Sequence, residues 1–140
     1  MKLIAHRGNY QCKNPSKENQ PDYISQAIQA GFDAEIDIWY QDGLYLGHDN
    51  PEYEIDLDFL FMLHDKLWIH CKNIQALSFL SEIKEFNTFW HEKDSYALTS
   101  KGFIWTFPHC KVCEKSVVIT ENARYNKLQD CYGVCADILI

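Results

Sequence analysis

Glu35 and Asp37 stand two residues apart in the run Asp-Ala-Glu-Ile-Asp-Ile-Trp-Tyr at 33–40. On a strand, that spacing puts both carboxylates on one face and leaves Ala34, Ile36 and Ile38 for the other. Two acids on an otherwise apolar strand repel each other, and a hard divalent cation with oxygen ligands would relieve that repulsion. A solvated strand edge carrying two surface acids is the competing account of the pair taken alone. His70 and Lys72 repeat the geometry in Lys-Leu-Trp-Ile-His-Cys-Lys at 66–72, with Ile69 and Cys71 on the opposite side. An amphipathic edge strand is the alternative there. His6-Arg7-Gly8 closes the apolar run 2–6, and His48-Asp49 follows Leu44 to Gly47. Each histidine alone reads equally well as a hydrogen-bonded structural or turn residue. The conjunction decides between the accounts, because four segments place titratable residues at a strand end or in the loop after it. Together they supply two imidazoles for proton transfer, an acidic metal seat and two cations for a phosphate. Those are the parts that phosphodiester cleavage needs.

The elements that must position these groups follow from the hydrophobic pattern. Residues 2–6 read as a buried strand and 33–40 as a second. Asp42-Gly43 reads as a hairpin turn, with 44–47 as the short return strand. Pro21 fits the first turn of a helix whose Ile24, Ala27 and Ile28 share a face before Gly31 closes it. A Pro- and acid-rich loop leads to a short helix at 56–64, then a third main strand at 66–72. Asn73 is the predicted cap of a helix with Ile74, Leu77, Leu80 and Ile83 as its buried stripe. That alternation argues for parallel strands joined by crossover helices, with site residues at the strands' C-terminal ends. The second half changes character. Short strand-like runs at 88–91, 96–99, 103–107 and 117–120 leave little room for helices, 122–130 holds one last short helix, and 133–140 is a final buried strand.

Composition bounds the reading. The chain has 140 residues, 46% hydrophobic and 14% aromatic, enough for one domain spanning 1–140 with its own core and no need of disulfides. Thirteen basic against twenty acidic residues give a net charge of −7 without a basic block, which argues against a nucleic-acid partner. No apolar run approaches the ~20 residues that cross a bilayer, and polar chemistry starts at the sixth residue, so no transmembrane or signal segment is expected. Six cysteines without a secretory signal read as reduced thiols, and the expected location is cytoplasmic. Dividing 140 residues among eight strand-helix units leaves 17.5 each. A complete barrel of that kind spends about 250 residues, or roughly 31 per unit, so a full one does not fit.

The same residues carry a family resemblance. Ile4-Ala5-His6-Arg7-Gly8, Glu18-Asn19-Gln20, Gly31-Phe32, Glu35-Ile36-Asp37-Ile38, Asp42-Gly43 and Gly47-His48-Asp49 follow one another in the order and at the spacing of the glycerophosphodiester phosphodiesterase family. Further on, Ile69-His70-Cys71-Lys72, Ile104-Trp105-Thr106 and Gly133 through Asp137 resemble its later strands. The close similarity covers residues 3–49, with patches beyond. The resemblance implies an α/β fold, an abbreviated TIM-barrel-like (β/α) barrel with helices reduced or missing in the second half. It also implies a phospholipase C-like, metal-dependent hydrolase of glycerophosphodiesters or a related small phosphodiester. By residue match, His6 and His48 would be the acid/base pair, Arg7 and Lys72 the phosphate ligands, and Glu35 and Asp37 metal ligands. The implied mechanism is in-line attack at phosphorus by a neighbouring substrate hydroxyl. Three departures stand out, the first being that the chain is far shorter than the family's members, so the barrel must be abbreviated or closed by tight strand-to-strand turns. His70 occupies the place of the family's third carboxylate; the resemblance implies Mg or Ca, and the imidazole, which suits transition ions better, leaves Mn or another transition metal open as the alternative. The family's subdomain between the second and third main strands is missing, which implies a more open pocket.

Two other readings compete. A catalytically degenerate relative would bind a phosphate-bearing ligand without turning it over. Alternatively, Cys110-x-x-Cys113 beside His109, completed by Cys131 and Cys135, would form a zinc site in a small interaction module. His91 is a candidate to reach the pocket from the fourth strand, with a structural role as its alternative. Trp39, Trp68, Trp90 and Trp105 are assigned to core packing, with pocket lining as the minority reading.

Overall fold

The computed structural model describes residues 1–125 and 130–140. The first strand, β1 (Lys2–His6), lies between β2 (Asp33–Tyr40) and β10 (Gly133–Ile138) and is parallel to both. Parallel pairing continues on one side through β5 (Leu67–Cys71) to β6 (Asn87–Phe89), and on the other through β9 (Ser116–Asn122) to β8 (Ile104–Thr106). A hairpin, β3 (Leu44–Leu46) and β4 (Tyr53–Ile55), branches from the C-terminal half of β2, and β7 (Tyr96–Leu98) is an antiparallel edge on β8. Among the described residues, ten strands thus share one sheet, accompanied by three α-helices: α1 (Pro21–Gln29), α2 (Leu57–Leu63) and α3 (Ile74–Ser81). The protein is a mixed α/β fold. No helix among the described residues is long and apolar enough to cross a membrane.

The helices sit where their start signals put them. Pro21 opens α1, and Gly31, at φ +99°, adopts the left-handed conformation that closes it. Asp56 accepts a hydrogen bond from the Phe59 amide to cap α2, and Asn73 accepts one from the Ala76 amide to cap α3. The stripe expected on α3 is corrected in part. Ile74 is 64% exposed, whereas Ala76 and Leu80 are buried and Leu77 and Ile83 half-buried. Asn73 also exchanges two hydrogen bonds with the Tyr40 backbone, which fixes the helix phase at its first residue. A strict spacing of three then drifts off the 3.6-residue face. The expected loop after Asp49 contains β4, three residues too short to display alternation. The helix expected at 122–130 falls partly outside the described residues. In the described part, β9 runs to Asn122 and a single 3₁₀ turn follows at Ala123–Tyr125.

The sheet has two apolar layers. On the helical side, Ala5, Ala34, Ile36, Ile38 and Ile69 pack against Ile24 and Ala27 of α1 and Ala76 and Leu80 of α3. On the other side, Ile4, Trp68, Phe89, Trp105, Val117 and Cys135 form a second cluster. Its members come from both arms of the sheet. Phe89 of β6 and Trp105 of β8, at opposite ends of the parallel order, have ring centroids 4.6 Å apart, so the sheet curves until its arms meet. Ser100 ties the arms together: its amide donates to the Thr88 carbonyl (2.8 Å), and its hydroxyl accepts from the Thr88 amide and donates to the Phe86 carbonyl. Trp68 and Trp105 are therefore core residues, as expected. Trp39, half-buried, donates its indole N–H to Gly47 O, and Trp90 is 36% exposed, which removes it from the core.

Candidate functional site

The side chains one position beyond the inner apolar cluster are polar. Parallel strands in register turn equivalent residues to the same side, and the registers His6↔Glu35 and Asp37↔His70 bring three strands' polar residues together above Ile4 and Trp68. A cleft of about 420 Å³ opens there, lined by His6, Arg7, Glu35, His48, His70, Lys72, His91, Glu92, Trp105 and Ile119. Six of the seven predicted site residues line it, and the seventh, Asp37, pairs with Arg7 and His70 of that lining. A hollow of about 740 Å³ lies at the other end of the strands, and none of the predicted site residues lines it. Asp33 there is paired with Lys2 and Lys66 and accepts from the Trp68 indole, so its carboxylate is already satisfied.

Asp37 is the most heavily partnered acid. Its Oδ1 is 3.0 Å from His70 Nδ1, and its Oδ2 accepts from Asn19 Nδ2 at 2.9 Å. Arg7 Nε stands 3.1 Å from the same Oδ2 as an ion-pair partner, without an aligned hydrogen bond. Burial alone would push this carboxyl up, but the bond and charge of His70, with Arg7 and Asn19, hold it down to about 2. Glu35 behaves oppositely. Burial and the neighbouring Asp37 charge raise it, against the pull of His6, Arg7 and His70. Its Oε2 accepts from the Arg7 amide at 3.1 Å, whereas Oε1 has no hydrogen-bond donor among the described residues and is 3.8 Å from His70 Nδ1.

His6 is backed by a residue to which the sequence reading gave no role. Asp137, near the end of β10, is 2.8 Å from His6 Nδ1, a distance typical of a charge-assisted bond. Because Nδ1 faces a carboxylate, it carries a proton, and Nε2 is the nitrogen left for the cleft. Burial lowers the His6 pKa, but the Asp137 bond and the Glu35 charge outweigh it and raise the imidazole above its ordinary value. Asn9, fully buried, bridges Asp137 and Glu18, donating to both at 2.9 Å, and Glu18 pairs with Arg7 Nη1 at 3.1 Å. Asn19 grips both the amide and the carboxylate of Asp37. Arg7 and Asn19 hold positive φ, +54° and +63°, a conformation that Asn tolerates and that is strained for Arg, and both lie in the site. The signal for Asp137 was available: like Glu35, it is an acid in an otherwise buried strand.

Arg7 uses Nη1 and Nε on Glu18 and Asp37, which leaves Nη2 for an anion. Lys72 follows β5 and reaches the cleft rim. His48 is the most open of the set, its Nδ1 2.7 Å from the exposed Asp49 carboxylate. His91 lines the cleft. Burial and the His70 charge lower its pKa, and its carbonyl accepts from His70 Nε2 at 3.0 Å. Glu35, Asp37 and His70 each offer a ligand atom, and these atoms lie within 4.8 Å of one another. Two carboxylate oxygens, one of them without a donor, and one imidazole nitrogen fit a divalent ion.

No family model, curated protein or solved structure matches this chain. The zinc alternative loses its geometric basis. Cys135 is sealed in the inner cluster, where burial drives its thiol pKa well up; Cys113 is exposed and accepts from the Ser116 hydroxyl. Cys131 lies against the Met1 sulfur, and Cys110 is half-buried in the loop after β8. Among the described residues, the only convergent metal-ligand group is the Glu35, Asp37 and His70 set.

Proposed function

We propose that this protein is a metal-dependent phosphodiesterase acting on glycerophosphodiesters or a related small phosphodiester. The reading carries with it an abbreviated (β/α) barrel, in which β1, β2, β5, β6, β8, β9 and β10 follow the barrel order and the second half dispenses with helices. The observation that supports it most is the meeting, in one cleft, of two imidazoles with different surroundings, two cations and the Glu35, Asp37 and His70 set. A phosphodiester carries one negative charge, and Arg7 Nη2 with Lys72 would hold its non-bridging oxygens.

The two histidines divide the proton work. His6, whose pKa the Asp137 bond and the Glu35 charge raise above its ordinary value against the lowering by burial, presents Nε2 to the cleft, so it is the acid that protonates the leaving alcohol. His48, on the open rim, is the base that takes the proton from a hydroxyl adjacent to the phosphate. That oxygen forms a bond to phosphorus as the bond to the leaving alcohol breaks, and a cyclic phosphodiester results. Water then opens the ring with the roles of the two histidines reversed. Glu35, Asp37 and His70 would hold a divalent ion, which supplies Lewis-acid stabilisation of charge on the phosphoryl oxygens. The test is direct. Protein incubated with a divalent metal and a glycerophosphodiester should release glycerol 3-phosphate, and His6→Ala or His48→Ala should each abolish release. Activity surviving both substitutions refutes the assignment.

A further inference from the structure

His70 differs from its two acidic neighbours in how its surroundings hold it, and that difference bears on which ion the site takes. Its Nε2 donates to the His91 carbonyl at 3.0 Å. Nδ1 is thereby the nitrogen turned toward the acids, 3.0 Å from Asp37 Oδ1 and 3.8 Å from Glu35 Oε1. The ring plane is fixed by Phe89, whose ring is stacked on it at 5.2 Å with 6° between planes. Phe89 is itself buried among Trp68, Trp105 and Val117 of the inner cluster. A histidine whose second nitrogen donates to a backbone carbonyl, and whose ring is clamped, has the arrangement by which proteins orient imidazole as a metal ligand. The donor-free Glu35 Oε1, on a residue only 2% exposed, is a second and independent sign that the cluster awaits a ligand.

We infer that this site selects a divalent transition ion such as Mn²⁺, Co²⁺ or Zn²⁺ over Mg²⁺ and Ca²⁺, with His70 Nδ1 as the discriminating ligand and the His91 carbonyl and Phe89 as its positioning partners. The inference rests on the proposed metal role of this cluster and adds the class of ion. Mg²⁺ and Ca²⁺ are hard ions that take oxygen donors, and Mg²⁺ sheds water reluctantly. Imidazole suits the later first-row metals, whose affinity for a mixed nitrogen and oxygen site rises along the series from Mn²⁺. One nitrogen in a three-donor set therefore tilts the site away from the alkaline-earth ions, and pre-orientation lowers the cost of engaging it.

The experiment measures binding of the metals themselves to the full chain. Mn²⁺ is titrated by electron paramagnetic resonance with Mg²⁺ or Ca²⁺ present in excess, and pulsed spectra of the Mn²⁺-loaded protein report nitrogen coupling from a bound imidazole. Retained Mn²⁺ binding in excess Mg²⁺, with a nitrogen signal that His70→Glu abolishes, supports the inference. The same variant should gain Mg²⁺ affinity relative to Mn²⁺. A milder variant, Phe89→Leu, should keep the nitrogen signal and weaken Mn²⁺ binding by about 10-fold, the low end of losses for residues that position a ligand. Melting curves confirm that each variant is folded. Equal affinity for Mg²⁺ and Mn²⁺, or an absent nitrogen signal, overturns the inference. Turnover supported by Mg²⁺ with no nitrogen coupling would sink it while sparing the phosphodiesterase reading. Tight, nitrogen-coupled Mn²⁺ binding without turnover would do the reverse.

Discussion

Replacing Asp137 by Asn keeps the shape of the His6 partner and removes its charge. The carboxamide oxygen can still accept from His6 Nδ1 at the position where Asp137 Oδ1 now lies, 2.8 Å away. What changes is the class of bond. Hydrogen bonds involving a charged group contribute about 1.5–3 kcal/mol and neutral ones about 0.5–1.5 kcal/mol, so the loss is roughly 1–1.5 kcal/mol. At 1.36 kcal/mol per pKa unit, that lowers the His6 midpoint by about one unit. Glu35 remains to hold it up and Arg7 to press it down, and neither is altered. The midpoint is read from the ¹H–¹³C correlation of the imidazole Cε1, assigned by its absence in His6→Ala. The alkaline limb of the pH–rate profile should move down with it, because His6 acts in its protonated form. The stability consequence has a definite sign. The raised His6 contributes below 6.5, its ordinary value, and that contribution is lost as pH rises through its folded value. The lowered Asp137 contributes above 3.8, its ordinary value, and that contribution is lost as pH falls through its folded value. Asp137→Asn should therefore destabilise most between those two values, near pH 5. An unmoved or raised His6 midpoint in a folded variant refutes the positioning role, and a merely structural Asp137 would lower the melting temperature without shifting either midpoint.

Other perturbations have equally specific outcomes. Lys72→Met should raise KM for the phosphodiester far more than it lowers kcat, as steady-state kinetics would show, because the lost charge meets the substrate before reaction. Gly47→Ala should cost about 1–3 kcal/mol in chemical denaturation, because the added Cβ would overlap the Asn50 carbonyl and force the His48 loop to move. Asp37, held to about 2, stabilises the fold above the ordinary carboxylate value of 3.8. Wild type should lose that contribution as pH falls toward 2 and Asp37→Asn should not, a difference visible in acid titrations followed by circular dichroism. The double substitution Cys110→Ser with Cys113→Ser should leave both the melting temperature and its response to a chelator unchanged, whereas a drop in either would restore the zinc reading.

The sequence disclosed the parts of the fold whose signals are local. Pro21, Asp56 and Asn73 mark helix starts and Gly31 a helix end by chemistry contained in a few residues; α1, α2 and α3 begin accordingly and α1 closes accordingly, whereas α3 stops at Ser81, short of Ile83. The alternation in 33–40 placed Glu35 and Asp37 on one face, where they are. What stayed hidden depends on partners distant in the chain. Asp137 lies 131 residues from His6, and only the parallel pairing of β10 with β1 makes them neighbours. Ile74 is exposed because the phase of α3 is fixed by a contact between Asn73 and Tyr40, 33 residues away. The zinc reading failed for a similar reason: the spacing of Cys110 and Cys113 is visible, but the burial of Cys135 inside the sheet is not.

The economy of the chain has a structural logic that bears on the site. Residues 1–81 contain all three helices among the described residues and all seven predicted site residues, whereas 87–122 provide β6, β7, β8 and β9 with turns between them. A helix outside a parallel sheet covers the face turned away from the cleft, so removing it does not by itself remove an inward side chain. What the second half must still provide is the floor, and it does so with bulk: Phe89, Trp105 and Val117 fill the space beneath the polar layer and meet Trp68 and Cys135. That floor is also a chemical requirement. Glu35 and Asp37 are almost fully buried, and their charges interact strongly with His6, Arg7 and His70 because water is excluded from below. Truncating Trp105 to Ala would admit water under both acids and weaken those couplings. It should therefore bring the Asp37 and His6 midpoints back toward their ordinary values without touching a site ligand.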